Sequence, residues 1–284
     1  MPDWAAFVGV TAVVLFVLLS LARLSQSAAS GGTTDTESPA TTPPSPALDV
    51  AATVDRDAQF APLEVGQYPE SPSLAERSVT PDERSSMPTA ALLLNVALSQ
   101  GLLGSFLVFG AWYGEVPLPA LGVDVGDPLS TGLPALGVGV AVGVGLYLAN
   151  AAGAAAAAAA GVEYDESLRD LLTPASAGGW GLLLVGALPL IAGFEELLFR
   201  AALVGGLGAA SGLSPWLLAA GSSVLFAAGH GAQGRMGMVV TGVLGFVLAG
   251  TFVLTNSLLA VVLAHYLVNA LEFVVGGYLG VEWG

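Results

Sequence analysis

Two residue types are missing from this chain of 284 residues, which contains no cysteine and no lysine. Without cysteine it can form no disulfide bond, no thiolate metal site and no cysteine nucleophile. All 7 basic residues are arginines, and 22 acidic residues give a formal net charge of −15. A nucleic-acid partner would require a basic surface, so we expect none. This acidic, lysine-free composition resembles that of haloarchaeal proteins.

Charge of either sign is scarce, since 10% of the residues are charged and 54% are hydrophobic. A soluble domain carries about a quarter charged residues. Uncharged runs of about 18 residues or more recur along the chain, and each could cross a bilayer as a helix. We therefore expect an all-α, multi-pass helical bundle in the cell membrane, with the lipid bilayer as its solvent and about seven transmembrane helices.

Composition divides the chain into three parts. Residues 1–24 are apolar, lack the basic start of a secretory signal and predict a retained membrane anchor helix. Residues 25–86 are rich in Pro, Ser, Thr and acidic residues, which predicts a disordered acidic linker. Residues 87–284 are predicted to form the helical core. Its spans are expected at 89–113, 131–160, 178–207, 214–232, 236–255 and 257–279, with a short interfacial helix within 161–176.

The arginines outside the predicted spans indicate an orientation. If the N-terminus lies outside, all of them fall on one side, which the positive-inside rule makes cytoplasmic. They are Arg23, Arg56, Arg77, Arg84, Arg169 and Arg235.

Three predicted spans contain ionisable groups at depth, where each costs at least about 2.5 kcal/mol and is usually functional or paired. The chain has 2 histidines, and both lie in these spans. The groups are Glu195, Glu196 and Arg200 in the third span of the core, His230 in the fourth, and His265 and Glu272 in the last.

Helical spacing indicates which of these groups can meet. Glu196 and Arg200 are four residues apart and can neutralise each other on one face. Glu195 lies about 100° round the helix and faces a different neighbour. A rise of about 1.5 Å per residue places Glu195 and His230 about 20–25 Å below the 208–213 turn, and His265 about 12 Å below the turn near Asn256. Helix tilt and shifted helix boundaries can close this gap. We therefore expect a carboxylate and two imidazoles around one cavity.

The carboxamide of Asn269 lies one turn after His265 and is expected at the same cavity. A carboxylate and an imidazole can remove a proton from water, which then attacks a carbonyl. A second imidazole and a carboxamide can stabilise the resulting oxyanion. This set of groups predicts hydrolysis of a peptide bond inside the membrane.

Three motifs follow one another on separate predicted helices. They are E-E-x-x-x-R from Glu195 to Arg200, F-x-x-x-H from Phe226 to His230, and H-x-x-x-N from His265 to Asn269. Together they resemble the CPBP family of intramembrane proteases. This family comprises the type II CAAX prenyl endopeptidases and the bacteriocin-processing or immunity-associated Abi proteins. The resemblance covers roughly residues 90–280.

The resemblance implies an intramembrane endopeptidase that acts on a membrane-associated protein or peptide. It implies that Glu195 and His230 activate water and that His265 and Asn269 serve the oxyanion. Supporting roles then fall to the remaining motif residues, Glu196, Arg200 and Phe226.

Other readings of the same residues remain open. Glu195, His230 and His265 could ligate zinc and leave a fourth position for water, which would make the protein an intramembrane metalloprotease. No cofactor is favoured, because an oxyanion site with Asn269 uses every motif residue without a metal. A proton-coupled transporter also uses intramembrane carboxylates and histidines, but the repeated halves of many transporters are not seen. The last alternative is a non-catalytic scaffold or immunity protein.

Overall fold

The computed structural model describes residues 1–31, 89–161 and 167–281. Within these ranges all regular secondary structure is helical, which confirms the all-α prediction. Residues 32–86 of the predicted linker lie outside the described residues. The helices are α1 Trp4–Gly31, α2 Thr89–Tyr113, α3 Pro128–Thr131, α4 Leu133–Ala159, α5 Ser167–Leu172, α6 Ala177–Ser211, α7 Pro215–Gly229, α8 Gly234–Thr255 and α9 Leu258–Tyr278.

Six of the described helices are long and apolar enough to span a membrane, which confirms a polytopic bundle. The sequence predicts about seven spans, and the one that is too short in the structure is α7, which has 15 residues. At about 1.5 Å per residue it is roughly 22 Å long, shorter than the hydrocarbon core of about 30 Å. Helix α7 ends at Gly229 because the backbone of His230 leaves the helical conformation, with φ −102° and ψ 20°.

Helix α1 is part of the packed bundle as well as a candidate span. Its apolar span is Trp4–Leu24, and the helix continues to Gly31. Phe7 and Val14 are each only 2% exposed. Phe7 packs against the small residues Ala201 and Ala202 of α6. Helix α1 therefore contributes side chains to the core.

Helices α4 and α9 approach each other closely through glycine. A Cβ at Gly139 would lie 2.8 Å from the carbonyl oxygen of Ala260, and one at Gly143 would lie 2.8 Å from that of Ala264. Small residues at such positions allow membrane helices to pack with their backbones in near contact. This contact fixes the position of α9 just before His265.

A loop at one end of the bundle fixes the start of α9. Ser257 caps the helix by accepting a 3.0 Å hydrogen bond from the Ala260 N–H, and it donates a 2.6 Å bond to the Ser130 carbonyl. Asn256 has a φ of +45° and donates a 3.0 Å hydrogen bond to the Pro119 carbonyl. These bonds hold the helix in register with the loop, and so set the depth of His265.

The described arginines other than Arg200 lie at the opposite end of the bundle. Arg23 is near the end of α1, where Gln26 lies against Gly231 in the α7–α8 turn. Arg235 is in the first turn of α8. Arg169 of α5 lies against Gly276 near the end of α9. The orientation prediction requires these arginines to lie on one side of the membrane, and the three lie at one end of the bundle.

Candidate active site

Glu196 occupies the centre of a buried polar cluster. Its Oε1 accepts a hydrogen bond of 2.7 Å from Arg200 Nη1 and lies 2.7 Å from Nδ1 of His265. Glu196 and Arg200 are fully buried and His265 is 4% exposed. The spacing in sequence indicated the pairing with Arg200, but it did not indicate the contact with His265, which belongs to a helix 69 residues further on.

Arg200 is held by two further groups. Its Nη2 donates a 2.8 Å hydrogen bond to the Gly245 carbonyl of α8, and its guanidinium carbon lies 4.6 Å from the centre of the Phe226 ring. A Cβ at Gly245 would lie only 2.9 Å from the Phe226 ring. Sequence reasoning missed Gly245, because one glycine in an apolar helix gives no signal of the cation beside it.

Glu195 presents a carboxylate oxygen to the other side of His265. Its Oε2 is 3.7 Å from His265 Nε2, an ion-pair distance that is too long for a direct hydrogen bond. Among the described residues this buried oxygen has no hydrogen-bond partner. His265 therefore lies between two carboxylates, with Nδ1 bonded to Glu196 and Nε2 facing Glu195.

His230 follows the last residue of α7 and is partly buried. Its Nδ1 lies 2.8 Å from the Phe226 carbonyl oxygen. Because a carbonyl only accepts, Nδ1 carries the proton, and a neutral ring then has its lone pair on Nε2. The His230 ring centre is also 4.5 Å from that of Phe226.

The four side chains predicted to do chemistry line one cavity of about 370 Å³. The structure thus brings Glu195, His230, His265 and Asn269 together, with Phe226 in the same wall. The other polar groups in its lining are Asn150, Arg169, Gln233, Thr241 and Glu272. Sequence reasoning missed Asn150 as a lining residue of this cavity, although a carboxamide inside a predicted span was a usable signal. Its Nδ2 donates a 3.2 Å hydrogen bond to Glu272.

The predicted zinc alternative does not fit this arrangement. The donor types are suitable, since zinc accepts carboxylate oxygen and imidazole nitrogen. However, no three His, Asp or Glu side chains in the described part of the chain are placed to hold one metal ion.

The helices and this cavity define an integral membrane protein with a buried carboxylate–imidazole site. Residues 177–271 match the family model described as type II CAAX prenyl endopeptidase Rce1-like. The match confirms the predicted resemblance to CAAX proteases over this region, which includes all four cavity residues named above. It suggests an enzyme with protease activity in the membrane. No curated protein and no solved structure matches the chain.

Proposed function

We propose that this protein is an intramembrane endopeptidase of the cell membrane. It hydrolyses a peptide bond in a membrane-associated protein or peptide, using water activated by Glu195 and His230. The observation that supports the proposal best is the contrast between its two histidines. They line one cavity, but His230 is bonded to a neutral carbonyl and His265 to a carboxylate. Groups of one type in unlike environments are suited to opposite roles as acid and base.

His230 is suited to act as a base. Its Nδ1–H is engaged by the Phe226 carbonyl, so the lone pair on Nε2 can accept a proton. The Glu195 carboxylate lines the same cavity. A water bound to both groups would lose one proton as it attacks the substrate carbonyl, and the resulting hydroxide oxygen would form the new C–O bond.

His265 is suited to act as a hydrogen-bond donor. Arg200 donates to Glu196, which marks Glu196 as an ionised acceptor, so Nδ1 of His265 must be the donor in their contact. Two carboxylates and one guanidinium would leave a net negative charge in a buried site, which is costly. Protonated His265 makes the cluster neutral and provides a second N–H on Nε2.

Asn269 completes the proposed oxyanion site. It lies one turn after His265 on α9 and lines the same cavity. Its carboxamide N–H and the Nε2–H of His265 would donate to the tetrahedral oxygen, where charge develops in the transition state. When the intermediate collapses, the C–N bond breaks, and the proton taken from water passes to the leaving amine.

The proposal can be tested with the full chain in lipid nanodiscs. The probe is a quenched fluorescent peptide that ends in a farnesylated C-a-a-X sequence, chosen because the matched family is described by that substrate. Wild type should cleave it, and Glu195→Gln should lose at least about 100-fold in rate, as expected for a general base.

Glu272→Gln is the matched control, because it removes another carboxylate from the wall of the same cavity. It should retain most of the activity. Comparison of membrane proteomes from cells with wild type and with Glu195→Gln would reveal substrates that the probe does not represent. If no peptide accumulates or disappears in either assay, the protein is not this protease.

A further inference from the structure

Phe226 contacts both histidines and the buried arginine of the candidate site. It is 1% exposed, and its ring centre lies 4.5 Å from the His230 ring and 5.9 Å from the His265 ring. The Arg200 guanidinium lies over the same ring at 4.6 Å. One aromatic side chain thus contacts both the buried ion cluster and the residue proposed as the base.

The contacts with Arg200 hold the Phe226 ring in place. A cation over an aromatic face is attracted by the negative charge of the ring. Gly245 leaves room for this contact and anchors the guanidinium through its carbonyl. The edge of the His265 ring meets the Phe226 ring at an interplanar angle of 84°, which is a favoured arrangement of aromatic groups.

The backbone of Phe226 acts on His230 as well. The carbonyl oxygen accepts from Nδ1, while the ring packs against the imidazole four residues later. The carbonyl selects the tautomer, and the ring limits rotation of the imidazole away from that carbonyl. Without the ring, Nδ1 could exchange the carbonyl for other partners, and Nε2 would no longer be presented to the cavity in one orientation.

We propose that Phe226 is a positioning residue, which holds His230 in its Nδ1–H tautomer and couples its orientation to the Arg200–Glu196–His265 cluster. This inference rests on the proposed function, because it concerns how the base of that reaction is oriented. Phe226 itself touches no reacting atom in this mechanism.

Phe199 provides a matched control. It is also 1% exposed, belongs to the same apolar cluster, and meets the Phe226 ring edge-on at 5.0 Å. None of its ring contacts reaches a histidine among the described residues. A role in packing alone predicts the same outcome for Phe199→Leu and Phe226→Leu.

The experiment compares these two variants with wild type as full chains in nanodiscs. Since the chain has 2 histidines, selective ¹⁵N-histidine labelling gives signals from two rings, and His265→Gln assigns them. Thermal unfolding, turnover of the farnesylated peptide and the tautomer of His230 are then measured for each variant. If Phe226→Leu does not fold, Phe226→Met replaces it, since methionine fills irregular core space.

We expect Phe226→Leu to lower kcat by about tenfold or more relative to Phe199→Leu, because small errors in the position of a catalytic group are costly. We also expect its His230 ring to show a mixture of tautomers, while Phe199→Leu keeps the Nδ1–H form. An unchanged His230 tautomer in Phe226→Leu, or equal changes in both variants, would overturn the proposal. The NMR measurement decides this even if wild type does not cleave the probe, a result that would instead count against the proposed function.

Discussion

Glu196 and His265 are joined by a buried contact of 2.7 Å between Oε1 and Nδ1, across 69 residues of sequence. The same Glu196 oxygen also accepts from Arg200 at 2.7 Å. A carboxylate shared in this way fixes the orientation of the His265 ring. Glu196 should therefore affect both the stability of the bundle and the chemistry of the cavity.

Glu196→Gln separates these two effects. The amide oxygen can still accept hydrogen bonds, but its contacts with Arg200 and His265 lose the negative charge that strengthens them, so the His265 ring is held less firmly. We expect a decrease in kcat of about 100-fold, typical of an oxyanion donor, with little change in KM. Steady-state kinetics of the full chain would measure this. Wild-type turnover in this variant would show that Glu196 does not orient His265.

Arg200→Ala should act mainly on stability. It leaves Glu196 buried without its cationic partner, and removal of one member of a buried pair typically costs about 3–5 kcal/mol. The measurement is thermal unfolding in detergent together with the yield of folded protein. Its turnover per folded molecule should fall less than that of Glu196→Gln. A variant of normal stability with no activity would place Arg200 in the chemistry instead.

Gly245→Ala should disturb the contact between Arg200 and Phe226. The added methyl group would lie 2.9 Å from the Phe226 ring and 3.3 Å from Arg200 Nη2. Overpacking of this kind typically costs about 1–3 kcal/mol, so we expect a lower unfolding temperature. Gly145→Ala is the control, since that helical position has nothing within 4 Å of an added Cβ. It should be neutral or slightly stabilising, because alanine favours helices.

The helices and the pairing of Glu196 with Arg200 were predictable from local information. A long apolar run specifies a span whatever surrounds it, and the i,i+4 spacing of Glu196 and Arg200 specifies a shared face. The contact between Glu196 and His265 was not predictable in this way. It depends on the rotation and depth of α9, which are set by the glycine contacts with α4 and by the loop bonded to Ser257. Both are contacts between distant parts of the chain.

The role of α1 was also hidden in the sequence. In a membrane protein a helix face packed on other helices and one facing lipid can both be apolar, so hydropathy does not separate an anchor from a core helix. The early end of α7 was missed for a related reason. Hydropathy reports the composition of its glycine-rich end, whereas the helix ends where the backbone of His230 leaves the helical conformation.

Phe7→Ala tests whether α1 belongs to the core. Phe7 is 2% exposed and packs against α6 at Gly206, where an added Cβ would lie 2.6 Å from the Phe7 ring. Loss of a buried phenylalanine side chain typically costs about 3–5 kcal/mol. Phe16→Ala is the control in the same helix, since Phe16 is 72% exposed. Thermal unfolding should separate the two variants clearly. Equal stabilities of the two variants would show that α1 acts only as an anchor.

The metal content of the purified protein tests the mechanism itself. If Glu195 and His230 activate water directly, zinc should be well below one per chain and activity should survive chelation. His265→Ala and Asn269→Ala should then each lower kcat by roughly 100- to 1,000-fold, the usual effect of removing an oxyanion donor.

If zinc were bound by Glu195, His230 and His265, His265→Ala would lose the metal and Asn269→Ala would keep it. Elemental analysis of wild type and both variants distinguishes these cases. One zinc per chain, removed with the activity and restored with it, would show that the cavity rearranges to bind a metal and would replace the mechanism proposed here.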